Sequence, residues 1–536
     1  MTAAVDDRSG VPASDPNPTM THRQVLESLS GLFLAMFVAM LSGTIVANAL
    51  PIIVGELKGS QAQYTWVVTA TLLAATATTP IWGKLADRTS KKLLVQVSIV
   101  IFVFGSILAG FSQSTGMLIG FRVLQGLGMG GLQALVQIVI ASIVSPRQRG
   151  RYMGYFGGVM ATATVGGPLL GGLIVDTSFL GWRWCFWVGA PIAVVALIVL
   201  QKTLSLPVQR SSSPIDWGGA ILVPGGISVL LVWITLAGGN FAWMSWQTAM
   251  LVTIAVLLIS AAVIVERRVA DPVVPPRLLK QRTMILAIVA SVSVGIAMFG
   301  APVFFGQYFQ LARGFSPAES GLLTLPLVAG MMSATIISGR LVTRTGRWKG
   351  FLVGGTVLIV TGLLLLSTID HATPIWHIGA FMIVMGVGVG CTMQNLVLAV
   401  QNGLEYRDLG AGTSTVTFFR TLGGASGVSV LGAVLSSRVA ELIQDGLRAA
   451  GVPASAATSA AGSNLDLASL PGPVRVIVEH AYGDSLGLIF AIAAGVAVVA
   501  FVAVLFLRET TLRTTVGNEH LVDRETRTGD QSSSTS

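Results

Sequence analysis

Gly83-Lys84-Leu85-Ala86-Asp87-Arg88-Thr89-Ser90-Lys91-Lys92 joins two apolar stretches, and its first seven positions return 256 residues later as Gly339-Arg340-Leu341-Val342-Thr343-Arg344-Thr345. The basic residues keep their register in the second copy. At the same offset Gly154 meets Gly410, Gly167 meets Gly423 and Gly171 meets Gly427. Glycine is common here, with 62 residues, so each glycine match is weak alone; the loop match is the stronger sign of two parallel repeats. The offset is longer than six bilayer crossings need. The surplus equals about one helical hairpin, which the hydropathy places at 217–265, between the repeats.

The surroundings of the motif are those of a membrane protein. Hydrophobic residues make up 53% of the 536, mean hydropathy is +0.76, and only 11% are charged. A soluble chain of this size needs a charged shell that these residues cannot build; a bilayer accepts apolar surface on every side. About fourteen apolar segments have the length of a crossing. They lie near 30–52, 64–83, 92–112, 116–141, 152–175, 183–202, 217–237, 247–265, 283–311, 319–339, 350–369, 375–400, 411–437 and 484–507. The expected fold is an all-α polytopic membrane protein of two six-helix bundles, 29–203 and 283–510, with the hairpin and its linkers at 204–282. Residues 1–28 and 511–536 read as polar tails, and 438–483 as an extracellular loop.

Charge sets the expected orientation. With the N-terminus inside, connecting loops on the inner side hold 19 Lys and Arg, and those on the outer side hold 6. Positive residues stay inside, so both termini are expected in the cytoplasm and the chain in the cytoplasmic membrane. No secretory leader is expected, and the first span would serve as an uncleaved insertion signal. The net charge of +9 is dispersed over short loops without a basic face, which argues against nucleic acid as a partner. Cys185 and Cys391 show neither metal-ligand spacing nor a disulfide framework, and no metal or cofactor is expected.

The loop motif resembles the one that the major facilitator superfamily carries between its second and third spans. The fifth span holds Gly154, Gly167, Pro168, Gly171 and Gly172, similar to the antiporter signature of the drug:proton antiporter families, with Ala163 where one glycine is expected. Glycines allow close helix contact, and a proline bends a helix. Leu41-Ser42-Gly43-Thr44, Gly181-Trp182-Arg183-Trp184 and Asp216-Trp217-Gly218-Gly219 resemble further signatures of the fourteen-span branch. The resemblance covers about 30–510 and implies a secondary multidrug exporter driven by a proton gradient, a monomer by default.

Candidate site residues follow from chemistry and from that resemblance. Gly83, Asp87, Arg88, Gly339 and Arg344 are read as gating residues; the alternative is a loop whose basic residues only set topology. Asp87 could sit near a helix N-terminus in one state and lose that partner in the other. Arg122, in Arg122-Val123-Leu124-Gln125-Gly126, and Arg420 lie inside spans, where an arginine is costly and needs a protein interior. The resemblance implies proton coupling for Arg122; the alternative is a structural arginine bonded to backbone carbonyls. Asp87 and Arg420 join it as coupling candidates.

Many relatives carry Asp where this chain has Ser42, and none of the 24 acidic residues falls well inside a span. Proton coupling would then have to use a carboxylate at a span end, such as Asp87. Arginines without a carboxylate favour neutral or anionic amphiphiles over permanent cations. Ser42, Asn48, Gln125, Gln307, Gln310, Gln394 and Asn395 are candidates to line the path, although amides in hydrocarbon often bond between helices. Tyr64, Trp66, Trp182, Trp184, Trp187, Trp243, Trp246 and Trp376 lie near the expected span ends, and most of them read as interface anchors.

Two other functions compete for the same residues. A lipid or envelope-precursor flippase would use the same fold, with the hairpin opening a lateral entry. A membrane enzyme would need an acid–base constellation inside the spans, and all five His fall in loops or termini. There is no filter-like loop of a channel and no nucleotide-binding P-loop.

Overall fold

The computed structural model describes residues 22–58, 61–177, 180–204, 217–237, 241–269, 276–315, 317–405, 408–450 and 472–513. The side chains of Asn48 and Pro168, and residue Gly172 beyond its helical backbone, fall outside that description.

In the first half, α1 (His22–Glu56), α2 (Gln61–Arg88), α3 (Lys91–Gly110), α4 (Thr115–Ile143) and α5 (Pro146–Asp176) are followed by a single turn, α6 (Trp184–Trp187), that leads into α7 (Gly189–Thr203). The hairpin is α8 (Trp217–Leu236) and α9 (Trp246–Arg268). A short α10 (Pro276–Leu279) enters the second half. There α11 (Arg282–Gln307) ends in a π turn at Tyr308–Ala312. It is followed by α12 (Pro317–Leu323), α13 (Leu325–Thr345), α14 (Lys349–Leu366), α15 (Ile375–Gly403), α16 (Leu409–Ala449) and α17 (Gly472–Leu505). Eleven of these helical stretches are long and apolar enough to cross a bilayer. With α2, α5 and α8, fourteen crossings match the fourteen apolar segments.

Local chemistry sets many of the ends. Ser90, Ser114 and Ser245 each accept a bond from the backbone N–H three residues on, filling an orphan donor at the starts of α3, α4 and α9. Pro146 stands in the first turn of α5, where its missing N–H costs nothing. Gly346 ends α13 in the left-handed conformation, at φ 70°.

Each half has its own apolar interior. The first half packs Met36, Leu132, Val139 and Phe156 together, and the second packs Phe305, Tyr308, Met385 and Phe490. Outside, apolar side chains face away from the protein: Leu93, Val100 and Phe104 on α3, Leu257 and Ile264 on α9, and Val499 on α17 are all more than half exposed. In water that would be an aggregation surface; in lipid it is the expected exterior. The hairpin lies along the seam between α2 and α16, where Ile227 and Val223 meet Phe418, Phe419 and Leu73.

The segment expected to be an extracellular loop is helical at both ends. α16 continues through Ala449, and α17 begins at Gly472, well before the apolar span. Gly446 lies against Ile477, so the two extensions pack on each other. The C-terminal tail is also anchored at its start. Leu507 and Leu512 are buried beside Trp348 and Leu404, whereas 514–536 lies outside the described residues.

Candidate functional site

The loop motif and its copy stand at one end of the bundle, here called the motif face, and each joins the two halves. Asp87, one residue from the end of α2, reaches the first turn of α16. Its Oδ1 accepts from the Gly410 N–H at 2.8 Å, and its Oδ2 accepts from the Ala411 N–H at 2.8 Å. These are orphan donors at the positive end of a helix, so a carboxylate is the matching group. Asp408, at the N-cap position, does not fill the role: it makes no cap bond and pairs instead with Arg277 at 2.7 Å. The backbones approach so closely that a Cβ on Gly83 would strike Ser414 and the Gly410 carbonyl.

The second copy forms the opposite seam, between α13 and α5. A Cβ on Gly339 would meet the Gly150 carbonyl, and one on Gly150 would meet the Gly339 carbonyl. One turn deeper Gly154 faces Ile336, whose Cα lies 3.3 Å from an added Cβ. The sequence repeat thus exchanges partners: Gly83 meets Gly410, while Gly339 and its neighbour Ile336 meet Gly150 and Gly154, the latter being the repeat equivalent of Gly410. The copies differ in one respect. Thr343 stands where Asp87 stands, and its hydroxyl bonds back to the Gly339 carbonyl on its own helix at 2.8 Å. Arg88 is buried, and Arg344 is exposed in the last turn of α13.

Two further links cross between the halves at this face, and both are invisible in the motif pattern. Arg149 is 2% exposed; its Nε and Nη2 donate to the Val144 and Ala141 carbonyls at 2.8 and 2.6 Å, and its Nη1 donates to Gln401 Oε1 on α15 at 3.3 Å. Gln401 Nε2 in turn donates to Thr413 Oγ1 at 3.1 Å. The second link is a strap, residues 506–513. Trp348 Nε1 donates to the Thr510 carbonyl at 3.0 Å, and Asn402 Nδ2 donates to the Thr511 carbonyl at 3.1 Å. Glu509 Oε1 accepts from the Trp348 and Lys349 N–H groups at 3.1 and 3.2 Å, serving the start of α14. The Arg147 N–H, in the first half, donates to the Arg513 carbonyl at 3.1 Å.

The remaining antiporter-type glycines act within a half. Gly167 lies against Thr44, and Gly171 lies against the Ile45 carbonyl at 3.0 Å from an added Cβ, so they seat α5 on α1. Ala163, which stands at an expected glycine, gives its carbonyl to the Thr44 hydroxyl at 3.1 Å. Gly423 and Gly427 seat α16 on Val292 and Ile296 of α11 in the same way.

The two buried arginines are placed differently. Arg122 is 5% exposed; its Nε donates to the Val67 carbonyl at 3.3 Å and its Nη1 to Gln125 Oε1. Gln125 Nε2 donates to Ser106 Oγ, and to Ser42 Oγ at 3.3 Å. Ser42 and Gln125 thus belong to an arginine network inside the first half. Arg420 is 5% exposed too, and its Nη1 reaches the Met393 carbonyl at 3.5 Å. Among the candidate amides, Asn395 bonds back to the Cys391 carbonyl at 2.8 Å. Gln394 has neither amide atom paired, and Gln307 has an unpaired Oε1. Gln310 lies half-buried in the π turn. Trp182 departs from the anchor reading: it is 2% exposed and donates to Glu56 Oε2 at 2.9 Å. Met393 and Met298 of the second half pack against the apolar interior of the first half.

Comparisons with known proteins agree with this architecture. The family model of the Major Facilitator Superfamily matches residues 32–428. An uncharacterized MFS-type transporter of Mycobacterium tuberculosis (strain ATCC 25618 / H37Rv) is 37% identical over 517 residues, covering 95% of this chain and 72% of its own. The multidrug transporter protein MdtP of Bacillus subtilis (strain 168) is 36% identical over 419 residues, covering 78% of this chain and 77% of its own. Among solved structures, the human organic anion transporter MFSD10 aligns with a TM-score of 0.57 at 13% identity, over 88% of this chain and 99% of that one, a likeness of fold alone. The chain belongs to the Major Facilitator Superfamily, as a polytopic membrane transporter of two six-helix bundles with an inserted hairpin.

Proposed function

We propose that this protein is a secondary active exporter of amphiphilic small molecules that works by alternating access and is coupled to a proton gradient, with the motif face toward the cytoplasm. The observation that carries the reading is the Asp87 cap on α16. It closes one face of the transporter through two hydrogen bonds between halves that are not otherwise joined by chain at that point. Such a contact can be made and broken as a unit, which alternating access requires. Similarity to a protein named as a multidrug transporter supports the direction and the substrate breadth.

Proton coupling is assigned to Asp87. Protonation would replace an anionic cap by a weaker neutral one, so proton occupancy and opening of this face are linked. Substrates are assigned as neutral or anionic, because the buried Arg420 has no carboxylate partner among the described residues. The test is accumulation of a neutral lipophilic dye in cells producing the protein or its Asp87→Ala variant. Lower accumulation with the parent alone, abolished by a protonophore, is the expected result. Equal accumulation in parent, variant and empty cells would refute the reading.

A further inference from the structure

The two halves hold their buried arginines in unlike ways. In the first half, Arg122 donates hydrogen bonds to the Val67 carbonyl and to Gln125 Oε1, and Gln125 in turn donates to Ser106 and Ser42. That guanidinium has a built-in set of acceptors. In the second half, Arg420 has one partner among the described residues, the Met393 carbonyl, at 3.5 Å, the outer limit of a hydrogen bond. A guanidinium carries five N–H donors, so most of its capacity is unspent.

Its neighbour is equally short of partners. Gln394 follows Met393 in α15, is 3% exposed, and pairs neither Oε1 nor Nε2. Buried amides with both ends unpaired are rare, because desolvation without a partner costs free energy. The two side chains share a depth. Gln394 is nine residues from Gly403, the motif-face end of α15, and Arg420 is eleven from Leu409, the motif-face start of α16. At 1.5 Å per residue those are about 14 and about 16 Å into the bundle. The adjacent Met393 packs into the apolar interior of the first half, so this depth lies at a boundary between the halves.

We propose that Arg420 and Gln394 form an anion subsite of the transport path, which takes the carboxylate or another oxyanion of an amphiphilic substrate, while Arg122 serves its own half. The subsite rests on the exporter reading and narrows it. A carboxylate matches the guanidinium fork with two parallel bonds, and the Gln394 amide N–H can supply a third donor. Met393, whose carbonyl accepts from Arg420, carries a flexible and polarisable thioether, suited to an apolar body of variable shape.

The test uses 4-(1-pyrenyl)butyrate and its neutral primary amide, which differ in the anionic group. Binding to detergent-purified protein at pH 8 is read by energy transfer from tryptophan to pyrene, and export is read separately in proteoliposomes. The parent is expected to bind the butyrate roughly ten-fold tighter than the amide, the size of one good charged contact. Arg420→Gln should abolish that preference and leave amide binding within about two-fold, while Arg420→Lys should restore part of it and Arg122→Gln should leave it intact. If Arg420→Gln does not fold, Gln394→Leu, which keeps the volume, should weaken the preference several-fold. An unchanged preference in Arg420→Gln or in Gln394→Leu, equal loss of both probes, or equal loss in Arg122→Gln would overturn the subsite. A preference that depends on Arg420 without export of either probe would instead leave the subsite standing and refute the exporter reading.

Discussion

The carboxylate of Asp87 caps α16 through Gly410: Oδ1 lies 2.8 Å from the Gly410 nitrogen, and Oδ2 the same distance from its neighbour Ala411. The bond ties the end of a first-half helix to the start of a second-half helix, 323 residues away in the chain. Asp408 would be the ordinary cap, but it is engaged by Arg277. Closure of this face therefore depends on a residue supplied by the opposite half.

Removing the cap should open the face. Bonds to a charged group are worth about 1.5–3 kcal/mol each, so Asp87→Ala should shift the closed–open balance by roughly 30-fold for a net loss of about 2 kcal/mol. Spin labels at the exposed positions 151 and 340, on the ends of α5 and α13, would report it as a longer distance population. Asp87→Asn keeps an acceptor but no charge and should fall between. An unchanged distance distribution in Asp87→Ala would mean that the cap does not hold the face shut.

Filling the glycine seams should block closure by size alone. A methyl at Gly83 or Gly339 has nowhere to go, and overpacking of this kind costs about 1–3 kcal/mol. Gly83→Ala and Gly339→Ala should each slow transport with normal membrane insertion. Gly354→Ala, with nothing within 4 Å of the added Cβ, should be silent. Equal activity of all three in a proteoliposome assay would contradict the close approach.

The strap should matter to closure rather than to folding of the spans. Asn402→Ala loses the bonds to Thr510, Thr511 and the Arg513 N–H, and should expose the 506–513 segment to protease. Each bond is worth about 1 kcal/mol net, so cleavage should speed up roughly ten-fold or more, while detergent-solubilised helix content stays the same. Cleavage at the parental rate would show that the strap is held elsewhere.

Ser42→Asp introduces a carboxylate at the first-span position where the family resemblance implies one. Gln125 Nε2, 3.3 Å from the Ser42 hydroxyl, would meet the new acid, and Arg122 lies one link further on. The substitution should shift preference toward cationic amphiphiles and steepen the pH dependence of transport. A substrate panel unchanged by Ser42→Asp would show that this position does not set charge selectivity.

Much of the fold could be read before any coordinates. Apolar length alone marks the crossings, since the bilayer imposes one dimension on all of them, and the hairpin follows from the repeat offset. The motif residues were legible as a set, but their partners were not: nothing near Asp87 in the chain points to Gly410. Arg149 and the strap were missed because most of their bonds run to backbone groups, which carry no residue signature, and Gln401 because its partner Arg149 lies 252 residues away in the chain. The amides were the weakest reading, for a mid-helix amide can bond back to its own turn, as Asn395 does, join a network, as Gln125 does, or stay unpaired, as Gln394 does. The extensions of α16 and α17 away from the motif face were hidden by polar residues that break the apolar pattern without breaking the helix.

The most direct measurement is export from proteoliposomes under an imposed pH gradient, with the parent beside Asp87→Asn. The account predicts gradient-dependent movement of neutral and anionic amphiphiles, lost with Asp87→Asn. Movement that ignores the gradient, or that survives unchanged in Asp87→Asn, would contradict it.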